Sequence, residues 1–247
     1  MISGTRTIFL FLLIGCTPVY DMPDGFNPHI ISSEKYDIFT YQKISNTTAP
    51  IHIYIEGDGN SYDGAGHPTS NPTPRGTLLR EIASNDSAPN VVYMARPCQY
   101  IMSDLCQQSD WTTGRFSSEI IDSVSSAIQQ IAHSQPIILI GYSGGALISG
   151  LVILENTNLN IKKWITIAGV LNHSDWTDYF NDSPLSHSLD LYRLPNIYQV
   201  HYIASHDETV PQSLSNKWLS GQMVKQIPDS SHSSFPNLKL DFSIDKQ

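Results

Sequence analysis

Gly141-Tyr142-Ser143-Gly144-Gly145 lies between the apolar residues 136–140 and a helix-like stretch at 146–155, a placement that predicts strand, sharp turn and helix in immediate succession. Such a turn leaves no room for bulk beside its apex, a demand the flanking glycines meet, and it lifts the apical hydroxyl clear of the sheet edge. Ser143 is therefore a candidate nucleophile.

The chain has 247 residues, 40% of them hydrophobic and 15% charged, enough apolar material for one α/β domain with a sizeable core. A net charge of -9 with no cluster of Lys and Arg among aromatics would repel phosphate backbones, so nucleic acid is not an expected partner. At the start, Arg6 precedes an apolar run at 8–14 that is too short to span a bilayer. Leu13-Ile14-Gly15-Cys16 resembles the lipobox of bacterial lipoprotein signals. That resemblance implies a signal segment at 1–16, lipidation of Cys16 and a membrane anchor in the cell envelope. Thr17 after Cys16 resembles the pattern for outer-membrane placement in enteric bacteria. Of the three cysteines, lipidated Cys16 leaves Cys98 and Cys106 to pair across a small loop as a disulfide, as suits an exported protein. Neither belongs to a CxxC pair, which argues against structural zinc. Residues 17–34, with Pro18, Pro23, Gly25 and Pro28, read as a tether, and 35–247 as the folded domain.

Apolar or alternating runs at 36–42, 51–55, 91–95, 137–140, 164–168, 197–203 and 223–227 predict strands, and 75–84, 116–133, 146–155 and 212–219 predict helices. Their alternation points to a mostly parallel central sheet with helices on both faces. Three unpatterned segments, 57–74, 96–115 and 169–195, each follow a predicted strand. They should gather at the carboxyl edge with Ser143 as a pocket rim, the third with length enough for a small cap.

A serine hydroxyl is a weak nucleophile until a histidine takes its proton and a carboxylate orients that histidine. Ala204-Ser205-His206-Asp207-Glu208 follows the strand at 197–203, and Asp229-Ser230-Ser231-His232 follows the last strand. His232 is the only histidine beyond that strand and is the expected base; Asp207 is the favoured acid, with Glu208, Asp190 and Asp229 as rivals. His201, His206 and Asp207 sit on a strand and its turn, where neighbours diverge, and Asp58 to Gly64 departs from a calcium loop in glycine position. No metal and no cofactor is expected.

The order Ser143, Asp207, His232, with the turn set between strand and helix, resembles the α/β-hydrolase superfamily. More narrowly, the Glu56-Gly57-Asp58-Gly59 loop and the Arg96-Pro97-Cys98-Gln99-Tyr100 segment are similar to those of uncharacterised bacterial lipoprotein hydrolases. The resemblance implies an α/β-hydrolase fold and a serine hydrolase that cleaves carboxylic esters through an acyl-enzyme, with small-molecule or lipid esters as substrates. It also implies an oxyanion hole built from the amide of Gly144 and that of Asp58, or else Gly59, although glutamate stands where the superfamily's loop carries histidine. Gln99, Tyr100 and Trp176 are candidate substrate contacts, with Trp111, Asn172 and His173 beside them. Amide or thioester cleavage, and a noncatalytic binding module on the same fold, are the alternatives.

Overall fold

A computed structural model describes residues 22–244. The predicted signal segment, Cys16 and the first part of the predicted tether lie outside the described residues. Eight strands form one sheet: β1 (Asn27–Ser32), β2 (Asp37–Ile44), β3 (Ile51–Ile55), β4 (Asn90–Met94), β5 (Ile137–Tyr142), β6 (Ile161–Ile167), β7 (Tyr198–Ala204) and β8 (Met223–Ile227). Their order is β1-β2-β4-β3-β5-β6-β7-β8. β3 to β8 are parallel, whereas β1–β2 and β2–β4 pair antiparallel. The helices are α1 (Leu78–Ser84), α2 (Ser118–Ala132), α3 (Gly144–Glu155), α4 (His173–Phe180) and α5 (Gln212–Trp218).

Both faces of the parallel strands are covered, which is why their sequences read as continuous apolar runs rather than alternating ones. On one face, Ile51, Ile53, Val92 and Leu139 pack with Ile120, Val124 and Ile128 of α2 and Leu147 and Leu151 of α3. On the other, Tyr54, Tyr93, Ile138 and Val200 meet Leu79 and Ala83 of α1. Where a polar residue interrupts a run it is satisfied: His52 Nδ1 lies 2.6 Å from Asp86 Oδ2, which also accepts from Tyr54 Oη at 2.7 Å. Each fully buried aliphatic or aromatic side chain of these layers is worth about 1.5–3 kcal/mol.

Two elements escaped the periodicity. The predicted tether at 17–34 is corrected for its second half, because residues 27–32 form β1, an edge strand exposed along almost its whole length and therefore without an apolar face. Pro28 is tolerated there because an edge leaves one side of the ladder unpaired. Residues 235–244 cover part of the second face without forming a helix or strand: Leu238, Leu240 and Phe242 pack onto it, Phe242 stacks on His52, and buried Lys163 donates from Nζ to the carbonyl of Ser243 at 2.8 Å. Cys98 and Cys106 form a disulfide, their Cα atoms 5.8 Å apart. Among the described residues no helix is long and apolar enough to cross a membrane.

Strand order reverses direction around β3 and β5, so the loops that follow these two strands face each other across the carboxyl edge. Open α/β sheets form their ligand crevice at such a point.

Candidate active site

Ser143 sits between β5 and α3 with φ 52° and ψ -124°, a conformation that costs an L-residue about 1–3 kcal/mol and must be held by its surroundings. Its N–H donates to the carbonyl of Ile167 at 3.0 Å, and its own carbonyl accepts from Ala146 and Val170, both at 3.0 Å. The turn also demands glycine at 145, where a Cβ would stand 2.3 Å from the carbonyl oxygen of Ile55.

His232 arrives from the loop after β8. Its Nε2 is 3.0 Å from Ser143 Oγ, and its Nδ1 is 3.0 and 3.1 Å from the two carboxylate oxygens of Asp207. The Tyr142 hydroxyl donates to the carbonyl of His232 at 3.0 Å and its ring lies beside the imidazole, which fixes the loop. Asp207 is buried and braced by the N–H groups of Thr209 and Val210 at 2.9 and 2.7 Å, so one carboxylate both forms the turn and faces the imidazole of His232. The rival acids are elsewhere: Glu208 and Asp229 face solvent, and Asp190 accepts from the N–H groups of His173 and Ser174. His206 is exposed beside Ser205.

The loop after β3 lies against the same turn. A Cβ on Gly144 would fall 2.1 Å from Asp58 Oδ1, so Gly144 lets the Asp58 side chain pass the serine. The N–H groups of Asp58 and Gly144 have no hydrogen-bond partner in the protein among the described residues, leaving both free for a substrate oxygen. A carboxylate beside a developing oxyanion would oppose it, but Asp58 is neutralised: Arg96 Nη1 donates to Oδ1, and Arg115 Nε lies 3.1 Å from Oδ2. Burial pushes the Asp58 carboxyl up; Arg115 and Arg96, with a contribution from His232, outweigh that and hold it below the usual range. Glu56, standing where histidine was expected, is buried, accepts from Tyr93 Oη at 2.7 Å and Gly57 N at 2.8 Å, and has its carboxyl raised by that burial. It shapes the loop from within.

Gln99 and Tyr100 are corrected from substrate contacts to scaffolding, since neither lines a cavity at Ser143. Gln99 clamps the loop after β3, accepting from Arg96 N at 3.0 Å and donating to the carbonyl of Gly57 at 2.9 Å. Tyr100 meets Tyr93 hydroxyl to hydroxyl and stacks on Phe39. Trp111 is buried with its indole N–H on Thr69, and Asn172 caps α4 by accepting from Asp175 N.

Two cavities share Ser143, Asp58 and Thr209. The larger, about 710 Å³, runs past His232 between polar groups that include Asn60, Arg75, Thr77, Glu81, Ser233 and Ser234. The smaller, about 40 Å³, lies on the other side against Arg115, Phe116, Val170, His173 and Trp176. Trp176 lines this smaller cavity, positioned by α4 of the 169–195 segment and fixed by its indole N–H on the carbonyl of Thr209 at 2.7 Å. Arg96 and Arg115, which bound an unpatterned loop, were missed; their signal is two arginines at the rim of a chain that carries only 14 basic residues. Among the described residues no cluster of His, Cys, Asp and Glu could hold a metal ion.

No protein-family model matches this chain, and no curated protein does. Solved structures do. An α/β serine hydrolase without a lid from Xanthomonas campestris is similar with a TM-score of 0.56 at 14% identity, over 85% of this chain and 87% of that one. An α-β serine hydrolase homologue from Coxiella burnetii is similar with 0.56 at 14%, over 87% and 91%. An esterase from Pyrococcus furiosus is similar with 0.57 at 13%, over 84% of each chain. The chain has the α/β-hydrolase fold.

Proposed function

We propose that this chain, built on the α/β-hydrolase fold, is a serine hydrolase that cleaves carboxylic esters through an acyl-enzyme. The observation that carries the reading is the unbroken contact chain from Ser143 Oγ through the His232 imidazole to Asp207. Ser143 Oγ attacks the ester carbonyl as His232 Nε2 takes its proton, and Asp207 holds the imidazole in the tautomer that can accept it. The carbonyl oxygen, now negative, lies between the N–H groups of Gly144 and Asp58, each such donor being worth about 2.7–4 kcal/mol to the transition state. Collapse breaks the bond to the alcohol, which leaves with the proton returned by His232. A water molecule, deprotonated by the same imidazole, then releases the acid.

Since the leaving alcohol must take its proton from His232, it departs on the side where His232 lines the wall. That side is the 710 Å³ cavity, and the acyl group then occupies the 40 Å³ pocket, which His232 does not line. Support for an envelope location comes from the sequence at 1–16 and from the Cys98–Cys106 disulfide, a bond that persists in oxidising compartments; Cys16 is the lipid anchor in this reading.

A fluorophosphonate probe labels Ser143 if the hydroxyl is activated as described. Labelling of the folded wild-type protein that vanishes in Ser143→Ala is the expected result; no labelling of folded protein overturns the reading in favour of a binding module. For the anchor, Cys16→Ala releases the protein from membrane fractions and abolishes incorporation of labelled palmitate.

A further inference from the structure

Arg115 and His173 are the two unsatisfied groups of the small pocket. Their side chains are each 7% exposed, so more than nine-tenths of each is out of water. Among the described residues the Arg115 guanidinium donates no hydrogen bond to the protein: Nε is 3.1 Å from Asp58 Oδ2 but is not aligned to donate. The ring of His173 is oriented by Nε2, which lies 3.2 Å from the Ser188 carbonyl and 3.4 Å from Asp190 Oδ2. Both of those atoms are acceptors, so Nε2 carries the proton, and the buried Nδ1 is left without a partner. Buried donors and acceptors normally find partners; the unpartnered guanidinium, lining a pocket beside a candidate nucleophile, marks a place where an acceptor on a ligand completes it, while the His173 Nδ1 lone pair calls for a donor such as water.

Charge says what kind of ligand. Arg96 and Arg115 together face the single carboxylate of Asp58, an excess of one positive charge, while Glu56 is turned toward Tyr93 and Gly57. A planar guanidinium with free donors, flanked by the rings of Phe116 and Trp176, matches a carboxylate better than any neutral group. Size limits the rest. A pocket of about 40 Å³ takes roughly three to four water-sized groups, at about 10–15 Å³ each, the scale of one methylene and a carboxylate of three heavy atoms.

We propose that the small pocket recognises a terminal carboxylate on the acyl group, so that the preferred substrates are half-esters of short dicarboxylic acids, with Arg115 as the specificity residue. The proposal rests on the esterase reading above for the position of the acyl group. The chemistry is unchanged: the ester bond between acyl carbonyl and alcohol oxygen breaks, water supplies the new acid oxygen, and the distal carboxylate is not altered.

The test compares hydrolysis of monoethyl malonate with that of ethyl isovalerate, whose branched acyl chain has the same shape without the charge. The expected result is a kcat/KM for the half-ester about 10- to 100-fold above that for the neutral ester, the range of one charged hydrogen-bonded contact. Arg115→Met should collapse that ratio to near one, and Arg115→Lys should keep part of it. Because Arg115 also braces Asp58, both rates will fall in these variants, and the ratio is the readout. An equal or reversed preference in the wild type, or a ratio that survives Arg115→Met, overturns the proposal while leaving the esterase reading intact. If neither ester is cleaved and fluorophosphonate does not label, the esterase reading fails. The pocket is then judged by calorimetric titration of Ser143→Ala with malonate, where saturable binding lost on adding Arg115→Met supports it and no binding overturns it.

Discussion

The two cavities that meet at Ser143 differ in size nearly twentyfold, and they differ in how their walls are held. Walls of the larger one come mostly from the loops at 57–60, 74–77 and 232–236 and the first turn of α1, whose exposed polar side chains can rotate and rehydrate. The smaller is walled by groups locked from behind: Trp176 on Thr209, His173 on Ser188, Arg115 among three rings. Discrimination needs a wall that does not yield, because a site that relaxes around a wrong substrate loses the penalty that excludes it. On the proposed function, the contrast predicts selectivity for the acid half of the ester and tolerance for the alcohol half.

Changes at the shared centre should abolish reactivity on both sides equally. Asp207→Asn leaves the contacts in place but favours the wrong imidazole tautomer, and kcat should drop by about 10⁴-fold for every ester tried; a loss confined to one substrate would show that Asp207 acts on binding instead. Gly144→Ala places a methyl on Asp58 Oδ1 and pushes the loop after β3 off the turn. Loss of one aligned oxyanion donor predicts a fall of about 10²- to 10³-fold in kcat, with a melting curve close to wild type. An unchanged kcat would remove Asp58 from the oxyanion hole.

Smaller effects should separate the two sides. Trp176→Ala opens the tight pocket, and the acyl-chain optimum among neutral ethyl esters should move to longer chains with a gain of about tenfold for hexanoate relative to acetate, on the scale of a few methylenes in an apolar site. No movement of the optimum would put the acyl group in the other cavity. Arg75→Ala and Glu81→Ala alter exposed polar walls of the large cavity, where kcat/KM should change by less than about threefold whichever alcohol is used, since exposed charges contribute about 0–1 kcal/mol. A large alcohol-dependent effect there would reverse the assignment of tolerance.

Much of the centre was legible because its constraints are local. A serine between glycines, an apolar run before it and a helix after it report one strained turn, and the acid and base each follow a strand end. Chain order then suffices to name Asp207 and His232, although only coordinates separate Asp207 from Glu208, its neighbour on an exposed turn. The tight pocket was not legible. Arg115 lies 28 residues before Ser143 and His173 lies 30 after it, in segments without periodicity, so nothing in the pattern brings them together. Gln99 and Tyr100 were misread for a related reason: polar and aromatic loop residues look alike whether they face a ligand or clamp a neighbouring loop. β1 and the final ten described residues hid because an exposed edge and an extended covering strip carry no helical or alternating signature.

That covering strip has a practical corollary. With Phe242 lying on His52, Asp241 between Lys163 and Lys225, and the Ser243 carbonyl on Lys163, residues 241–243 seal this face of the domain, much as a flap closes an envelope. Trimming it would bare aromatic surface and strand a lysine ammonium in a dry interior, so shortened versions made for crystallisation should precipitate, and purification handles belong beyond residue 244.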